Sequence, residues 1–423
     1  MNLAAPIALI GIGGLVLAAG LMAPAPVSIK PAKKFTYASD VAAILNKNCV
    51  ECHRPGEVAP FSLVGYDNAK KWSRMIAQVT STRQMPPWKA VDGFGEFKDA
   101  KRLSADDLAA LKAWDAEGAP RGDAKAEPKT SPLTSEWTLG KPDLIVEPTK
   151  PFKLPAEGTD LYRNFVIKNE FPEARWVKAM DVKPGNTKVV HHVIMFLDNK
   201  GLSQKLEAKN KDGQEGYTLF GGVGFMPNGS LGGWAPGLRP HKSPGGTAFK
   251  VEPGATLVMQ VHYHLSGKPE TDQTRVGVYF AKEPIEKEVL LSWNFNFDIN
   301  IPPGEKNYKA EFNRTIKAPI TIYSVMPHMH LLGKSMKATA TTPEGKVIPL
   351  VYIDDWDFNW QMNYVLKEPL HLPAGSKIHI DAVYDNSADN PRNPNSPPQR
   401  VTFGEMTKDE MFLMLAAYTI DKN

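Results

Sequence analysis

The sequence is poor in cysteine, with only Cys49 and Cys52 among 423 residues. Because these two lie three positions apart, no disulfide framework can join distant parts of the chain. A long run of lysine and arginine is also lacking, and the formal net charge is only +4. This argues against a nucleic-acid-binding protein, which needs a basic patch for phosphates. Stability must come from hydrophobic cores, and 42% hydrophobic residues suffices for several.

Charged side chains are absent from residues 1 to 29, an apolar stretch long enough to cross a bilayer. The stretch is also typical of an export signal, with APA at residues 23–25 as a small-residue cleavage site. Pro26 directly after that site disfavours cleavage, and the basic flank KPAKK disfavours export of the chain beyond it. We predict that residues 1–34 are a signal peptide or an N-terminal membrane anchor.

Residues 49 to 53 read CVECH. Two thiols separated by two residues and followed by histidine form the attachment pattern of a c-type haem. Cys49 and Cys52 would form the thioethers, and His53 would ligate the iron. A zinc site is an alternative, but it needs two further ligands and the next histidine is His191; a bare CxxC redox motif is another. We predict one covalently bound haem c.

The neighbourhood of this motif agrees with a small helical domain. DVAAILNKN predicts a helix leading into the motif, and SADDLAALKAWDAEG predicts a capped amphipathic helix ending at Gly118. Met75 and Met85 are the candidate second axial ligands, and the prolines of RQMPPWK favour Met85. Residues 35–122 resemble small bacterial cytochromes c, whose haem is attached in the periplasm. That resemblance implies an exported protein, located in the periplasm or cell envelope.

The composition changes after residue 122. Residues 123–136 are polar and contain proline, and we predict a linker there. From Trp137 onwards, short apolar alternations separated by glycine, proline, asparagine and aspartate predict β-sandwiches. We place one all-β domain at residues 137–283 and a second at residues 284–423, because AKEPIEKE interrupts the alternation between them.

Nine of the ten histidines lie in this β-rich part. His191 and His192 are adjacent in VVHHVIMF, although neighbouring residues of a regular strand point to opposite faces. Either one of these histidines is interior and the other exposed, or both bind a metal at a point where the strand is bulged. MQVHYHL and MPHMHLLG each carry an H-x-H pair, which presents two imidazoles on one face. Three such pairs in one region favour metal binding.

HHVIMF, QVHYH, PHMHLLGK and DEMFLMLAAY resemble, in the same order, the motifs of the copper type II, ascorbate-dependent monooxygenases. The resemblance covers roughly residues 160 to 420. It implies two jelly-roll-like β-sandwich domains facing each other across a solvent-filled cleft, with one copper in each. The expected fold is therefore a small all-α cytochrome c domain followed by two all-β jelly-roll-like sandwich domains.

The resemblance also implies the copper ligands. The first copper would be bound by His191, His192 and His262, which requires a local break in the pleat. The second would be bound by His328, His330 and Met411, where a soft thioether favours Cu(I). By pattern alone, Met406 and Met414 rival Met411. Gln260 and His264 would support the first copper without binding it.

By this resemblance, the chain is a monooxygenase that hydroxylates a C–H bond with dioxygen at the His328, His330 and Met411 copper. The expected substrate is a small organic molecule, whose class the sequence does not identify. Met326 and Leu415 replace the arginine and tyrosine with which the amidating branch holds its substrate's carboxylate, which argues against a glycine-extended peptide. A periplasmic redox protein or an ascorbate-like reductant would supply electrons, relayed through the haem. The alternative is a haem and copper electron-transfer or copper-binding protein on a non-catalytic scaffold.

Overall fold

The computed structural model describes residues 33–57, 59–128, 136–167 and 171–422, and residues 35–423 form one compact unit. Residues 1–32 of the predicted signal peptide or anchor lie outside the described residues. None of the helices in the described ranges is long and apolar enough to span a bilayer.

The helices lie mainly before residue 117. A π-helical turn, Tyr37–Val41, runs into the first helix; the helices are α1 (Ala42–Asn48), α2 (Tyr66–Lys71), α3 (Ser73–Ser81), α4 (Ala105–Ala116) and α5 (Leu202–Glu207), with a 3₁₀ turn at Ala124–Ala126. The two helices predicted around the CVECH motif are present. Helix α4 begins with a reciprocal capping box, since the backbone N–H of Asp107 donates to Ser104 Oγ and that of Ser104 to Asp107 Oδ2. Val41, Leu45, Leu111 and Trp114 form the centre of the core between these helices.

Two five-stranded sheets come next along the chain. Their strands, with two short ones beside them, are β1 (Leu144–Val146), β2 (Phe152–Leu154), β3 (Leu161–Ile167), β4 (Arg175–Lys183), β5 (Val190–Asp198), β6 (Tyr217–Thr218), β7 (Gly229–Trp234), β8 (Thr247–Val251), β9 (Thr256–Tyr263), β10 (Glu270–Asp272), β11 (Arg275–Phe280) and β12 (Lys287–Glu288). One sheet has the order β1-β11-β4-β8-β12 and the other β6-β3-β9-β5-β7. Their inner faces pack Val182 and Val276 against Met195, Met259 and Val261. This is the first sandwich.

A second sandwich of two four-stranded sheets completes the chain. Its strands are β13 (Leu290–Phe295), β14 (Asn300–Ile301), β15 (Tyr308–Thr315), β16 (Ile320–His328), β17 (Gly333–Thr341), β18 (Val347–Ile353), β19 (Tyr364–Leu372), β20 (Lys377–Tyr384), β21 (Val401–Thr402) and β22 (Leu413–Ile420). The sheet orders are β13-β22-β16-β19 and β15-β20-β17-β18. Because β12 pairs with β8, the chain leaves the first sandwich only after Glu288, close to the boundary expected at residue 283.

The helical part packs against both sandwiches. Residues 88–102 pair with the edge of the second one, through bridges from Ala90 to Ile353 and from Phe97 to Leu366. The CVECH motif instead faces the first sandwich, where Glu51 forms an ion pair with Arg239. These contacts fix the motif relative to the β-rich part.

The two sandwiches contact each other through their outer faces. Phe196 of β5 stacks on Trp293 of β13 with ring centroids 6.2 Å apart, in a small cluster with Ile194, Val223 and Val258. The strands that carry His191, His192, His262 and His328, namely β5, β9 and β16, lie in the two sheets that these contacts bring together.

Candidate metal centres

The adjacent histidines lie at a β-bulge. In the β5–β9 ladder, Val190 is opposite Tyr263 and His192 is opposite His262, so His191 is an extra residue on β5. The predicted break in the pleat is thus confirmed. A bulge re-aims side chains, and here it turns two successive imidazoles towards one point.

Three imidazole nitrogens converge at that point. The Nδ1 atoms are 3.2 Å apart for His191 and His262, 3.3 Å for His192 and His191, and 3.4 Å for His262 and His192. The centre of a triangle with these sides lies about 1.9 Å from each nitrogen, close to a metal–imidazole bond length. Burial lowers the pKa of His191 to about 3 and that of His192 well below its usual value. Both rings are therefore neutral near pH 7, as metal ligands must be.

Asp160 supports this cluster from the loop before β3. Its Oδ2 lies 3.2 Å from His262 Nε2, although the ring is not aligned for a full hydrogen bond, and its Oδ1 lies 3.1 Å from His264 Nδ1. His264 therefore reaches the cluster through a carboxylate. Burial opposes ionisation of Asp160, but contacts with His262 and Thr407 outweigh it and hold its pKa well below the usual range. A carboxylate behind the far ring nitrogen fixes a metal-binding tautomer.

Replacing Asp160 by asparagine should weaken copper binding at this cluster by about 10- to 100-fold, because His262 loses its charged partner. Titration with a competing Cu(I) chelator measures the change. His264→Gln is the matched control, since it removes a 68% exposed side chain from the same carboxylate and should leave affinity within about twofold. Equal losses in both variants would contradict the role given to Asp160.

The second pair, His328 and His330, lies where β16 ends. Their ring centroids are 5.1 Å apart. His328 Nδ1 hydrogen-bonds to Gln361 Oε1, and Gln361 Nε2 donates to Phe358 O at 3.0 Å, which sets the orientation of the amide. His330 Nδ1 lies 3.1 Å from Asp409 O. Since both partners are acceptors, each Nδ1 carries the proton and each Nε2 is left to bind a metal.

The environment of this pair also keeps it neutral. Burial lowers the pKa of His328 to about 4, against the opposing effect of its hydrogen bond to Gln361, and it lowers the pKa of His330 well below its usual value. Neutral imidazoles of this kind suit zinc, copper and iron.

Glu410 ties Met411 to this pair. Its buried carboxylate accepts the backbone N–H of Met411 and of Leu332, both at 2.9 Å, as well as that of His330. Burial raises the pKa of Glu410 to about 8, against these N–H groups, which lower it. The backbones of the histidine pair and of the predicted thioether ligand are thus held by one side chain. Met406 is in the preceding turn, whereas Met414 lies in the core of the second sandwich.

Phe358 lies between the two histidine groups. Its ring stacks on His191 with centroids 5.2 Å apart and meets the edge of His330 at 5.6 Å, so these two imidazoles are at most about 11 Å apart. Phe358 is only 9% exposed. A buried aromatic ring thus contacts one imidazole of each group.

The segment that carries Phe358, residues 354–363 between β18 and β19, contacts both groups. Trp356 Nε1 donates to His330 O at 3.1 Å, and Gln361 holds His328. Gly333 allows Trp356 to approach closely, because a Cβ there would lie 2.6 Å from its ring. Sequence reasoning missed this segment; its one signal was a concentration of aromatic residues within a loop.

An apolar row lies beside the second pair. Trp293, Leu415 and Met326 are directly opposite one another on β13, β22 and β16, so their side chains share a face. His328, two residues after Met326, is on that same face. The surface next to this histidine therefore offers hydrocarbon and thioether groups.

Gln260, predicted to support the first cluster, lies deeper in the sheet. Its Nε2 donates to Asn164 Oδ1 at 3.1 Å, and it is 4% exposed. In its place, Tyr162 packs on the cluster, with its ring stacked on His262 at 4.1 Å and its hydroxyl donating to Glu405 O at 2.7 Å. The contact with Glu405 joins the first cluster to the loop that leads to Met411.

The CVECH residues form a third candidate site. Both cysteines are free and partly buried, and burial raises the pKa of the Cys49 thiol to about 12. His53 Nδ1 lies 3.2 Å from Phe61 O, so it donates to this carbonyl and leaves Nε2 as the unprotonated nitrogen. Phe61 in turn stacks on Trp72 at 4.2 Å.

The two candidate axial methionines differ in exposure. Met75 on α3 is 44% exposed. Met85 is half-buried, and its backbone N–H donates to Val79 O at 3.0 Å in the loop after α3. Three residues later, Trp88 packs against Tyr364 of the second sandwich with centroids 5.2 Å apart, which anchors this loop.

Comparisons with solved structures give only remote likenesses. The structure of PNGF-II in space group P21 aligns over 66% of this chain and 66% of its own length, with 8% identity and a TM-score of 0.26. The infectious bursal disease virus VP2 subviral particle aligns over 68% of this chain and 83% of its own, with 9% identity and a TM-score of 0.17. TM-scores this low do not establish a common fold.

Comparisons of sequence are more specific. A human protein described as a putative DBH-like monooxygenase protein 2 is 22% identical over 142 residues, which cover 30% of this chain and 28% of that protein. The chain thus spans less than a third of the relative's length. Residues 289–419 match the model of the copper type II ascorbate-dependent monooxygenase C-terminal domain. The second sandwich, which carries His328, His330 and Met411, is therefore similar to this copper-dependent domain.

Proposed function

We propose that the chain is a copper-dependent monooxygenase with two copper sites, which hydroxylates a C–H bond of a small organic substrate. One observation carries the proposal above the others: the His191, His192 and His262 Nδ1 atoms meet within 3.4 Å around a point at metal-bond distance. The similarity of residues 289–419 to a copper monooxygenase domain supports a second copper at His328, His330 and Met411.

The donor sets fit copper. Three neutral imidazoles accept both copper oxidation states, and two imidazoles with a thioether favour the reduced state. Bound at these sites, copper would supply one-electron redox chemistry and activation of dioxygen. The overall reaction is R–H plus dioxygen, two electrons and two protons, giving R–OH and water.

The residues that contact both sites hold them close together. Phe358 contacts the rings of both His191 and His330 and presents a buried apolar surface to them. Gln361 and the Asp409 carbonyl orient the two imidazoles of the second site. Because these groups are held by packing and hydrogen bonds, they need no rearrangement during a reaction.

The apolar row beside His328 bears on the class of substrate. Met326 and Leu415 are opposite each other, and neither offers a charge or a hydrogen bond to a carboxylate. A hydrocarbon portion of the substrate would pack there, with the C–H bond to be cleaved facing the second site. This supports an apolar or aromatic substrate over a glycine-extended peptide.

We propose further that the CVECH motif binds one haem c. The free thiols of Cys49 and Cys52, together with a His53 ring whose Nδ1 is already satisfied by a carbonyl, fit covalent attachment and ligation of iron by Nε2. A bound haem would supply single electrons from an external donor. Attachment of this kind implies export to the periplasm.

The position of the motif favours electron entry at the first copper site. Cys52 and Trp234 line one small pocket of about 90 Å³ between the helical part and the first sandwich. Trp234 is the cross-strand partner of Val193, the residue after His192. An aromatic side chain that lines this pocket thus belongs to the strand next to the one that carries His191 and His192.

Met85→Ala should lower the haem reduction potential and slow turnover driven by a reduced cytochrome, because a thioether ligand raises the potential. Turnover driven by ascorbate should survive, since the proposed relay through haem concerns only electrons from the cytochrome. Met75→Ala is the matched control and should alter neither, because Met75 is exposed on the same stretch. Equal loss of both activities in Met85→Ala would refute a relay through haem.

The activity itself is tested by oxygen uptake of the copper-loaded chain with ascorbate and a panel of apolar and aromatic substrates. We expect uptake that depends on copper and matches hydroxylated product one to one. Copper binding without any product-coupled uptake would point instead to an electron-transfer or copper-binding protein on the same scaffold.

A further inference from the structure

A cavity of about 630 Å³ opens at one end of the second sandwich, apart from the metal centres. It lies between the two sheets, where Ile320 of β16 is opposite Ile420 of β22, and its inner end is formed by Val325 and Met414. His328 is at the other end of β16. The volume lies within the usual range for small-molecule sites.

Aliphatic side chains form the walls. Ile322 and Val325 come from one sheet and Leu350 and Ile378 from the other, and all four belong to the core of the sandwich. These core side chains leave a space between the two sheets at this end. An apolar space of this kind does not bind water well and suits a hydrocarbon chain.

The mouth is polar and positively charged. Arg314 Nη1 donates to Ser292 Oγ at 2.8 Å, which holds the guanidinium beside the opening, and Lys317 lies on the same rim. Asn294 is 3% exposed, and its Nδ2 donates to Met414 O at 2.9 Å. None of the lining residues, all in the described part of the chain, is acidic. The opening thus presents two cationic side chains above an apolar interior.

We propose that this cavity binds a medium-chain carboxylic acid, with its tail between the sheets and its carboxylate at Arg314 and Lys317. The positively charged mouth matches the carboxylate, and the apolar interior matches the hydrocarbon tail. The site is independent of copper and haem, so it stands whether or not the chain is a monooxygenase.

Calorimetric titration of the full chain with dodecanoate, below its micelle concentration, tests the proposal. We expect one ligand per chain with a dissociation constant in the micromolar range. The double variant Arg314→Gln with Lys317→Gln should weaken dodecanoate binding about tenfold and leave dodecanol binding unchanged, because only the carboxylate loses its partners. Lys309→Gln, an exposed change on the same strand outside the cavity, is the matched control and should change neither.

A second variant tests the interior. Ala416 lines the cavity, so Ala416→Leu fills part of it without exposing or burying a polar group. We expect both ligands to bind at least about tenfold more weakly while the melting temperature is maintained. The proposal would be overturned if both ligands still bound Ala416→Leu with unchanged affinity. It would also be overturned if the unaltered chain bound many dodecanoate molecules, or bound none at about 1 mM.

Discussion

His328→Ala should abolish hydroxylation and remove one of the two coppers, leaving the copper at the three-histidine cluster in place. Loss of a direct copper ligand lowers activity more than loss of a residue that only supports a ligand. We therefore expect turnover to fall by more than about 100-fold. The two sites do not share a ligand, because His328 and His330 belong to the second sandwich and the other three to the first. Metal analysis and oxygen uptake on one preparation measure both effects.

His262→Ala is the mirror variant. It should remove the other copper and leave the His328 site loaded, since Phe358 keeps the two groups of imidazoles apart. His371→Ala is a suitable control, because His371 is a 60% exposed histidine that pairs with Asp421 outside both centres. Loss of both coppers in either variant would contradict two separate sites.

Glu410→Ala should destabilise the second sandwich and displace Met411 and His330. The carboxylate is fully buried and accepts the backbone N–H groups of His330, Leu332 and Met411, which would then lack partners. Since each unsatisfied buried donor costs about 1–3 kcal/mol, we expect a loss of about 3–5 kcal/mol in the free energy of unfolding. Chemical denaturation and copper analysis together measure the effect.

Glu410→Gln tests the positioning of His330 and Met411 separately from the stability of the second sandwich. Its single amide oxygen can still accept the N–H groups of His330 and Met411, but its NH₂ group would face the N–H of Leu332. We expect a smaller loss of stability together with weaker copper binding at the second site. Glu344→Ala, in an exposed turn of the same sandwich, should change neither. A stable Glu410→Ala variant with full copper would refute this account of Glu410.

Much of the fold is predictable from local pattern. The capped helix at Ala105–Ala116 is expected from the capping pair Ser104 and Asp107, and the strands are expected from alternation between turn residues. The bulge at His191 was not predictable from pattern alone; it was expected only because the resemblance implies that both neighbouring histidines bind one copper, which a regular strand does not allow.

The surroundings of the candidate sites are harder to predict, because they come from distant parts of the chain. Asp160 lies about a hundred residues before His262, and Phe358 is separated from His191 by an even longer stretch. Neither belongs to a repeating pattern, so no local rule identifies it. Glu410 was missed as well, because a carboxylate before an apolar strand is usually exposed and only the structure shows this one to be buried.

The measurement closest to the central claim is metal analysis of the copper-loaded chain together with electron paramagnetic resonance of its oxidised form. The two converging sets of imidazoles predict two type II Cu(II) ions per chain. One of these ions should be lost in His262→Ala and the other in His328→Ala. A chain that binds no copper at the His191, His192 and His262 cluster would contradict it.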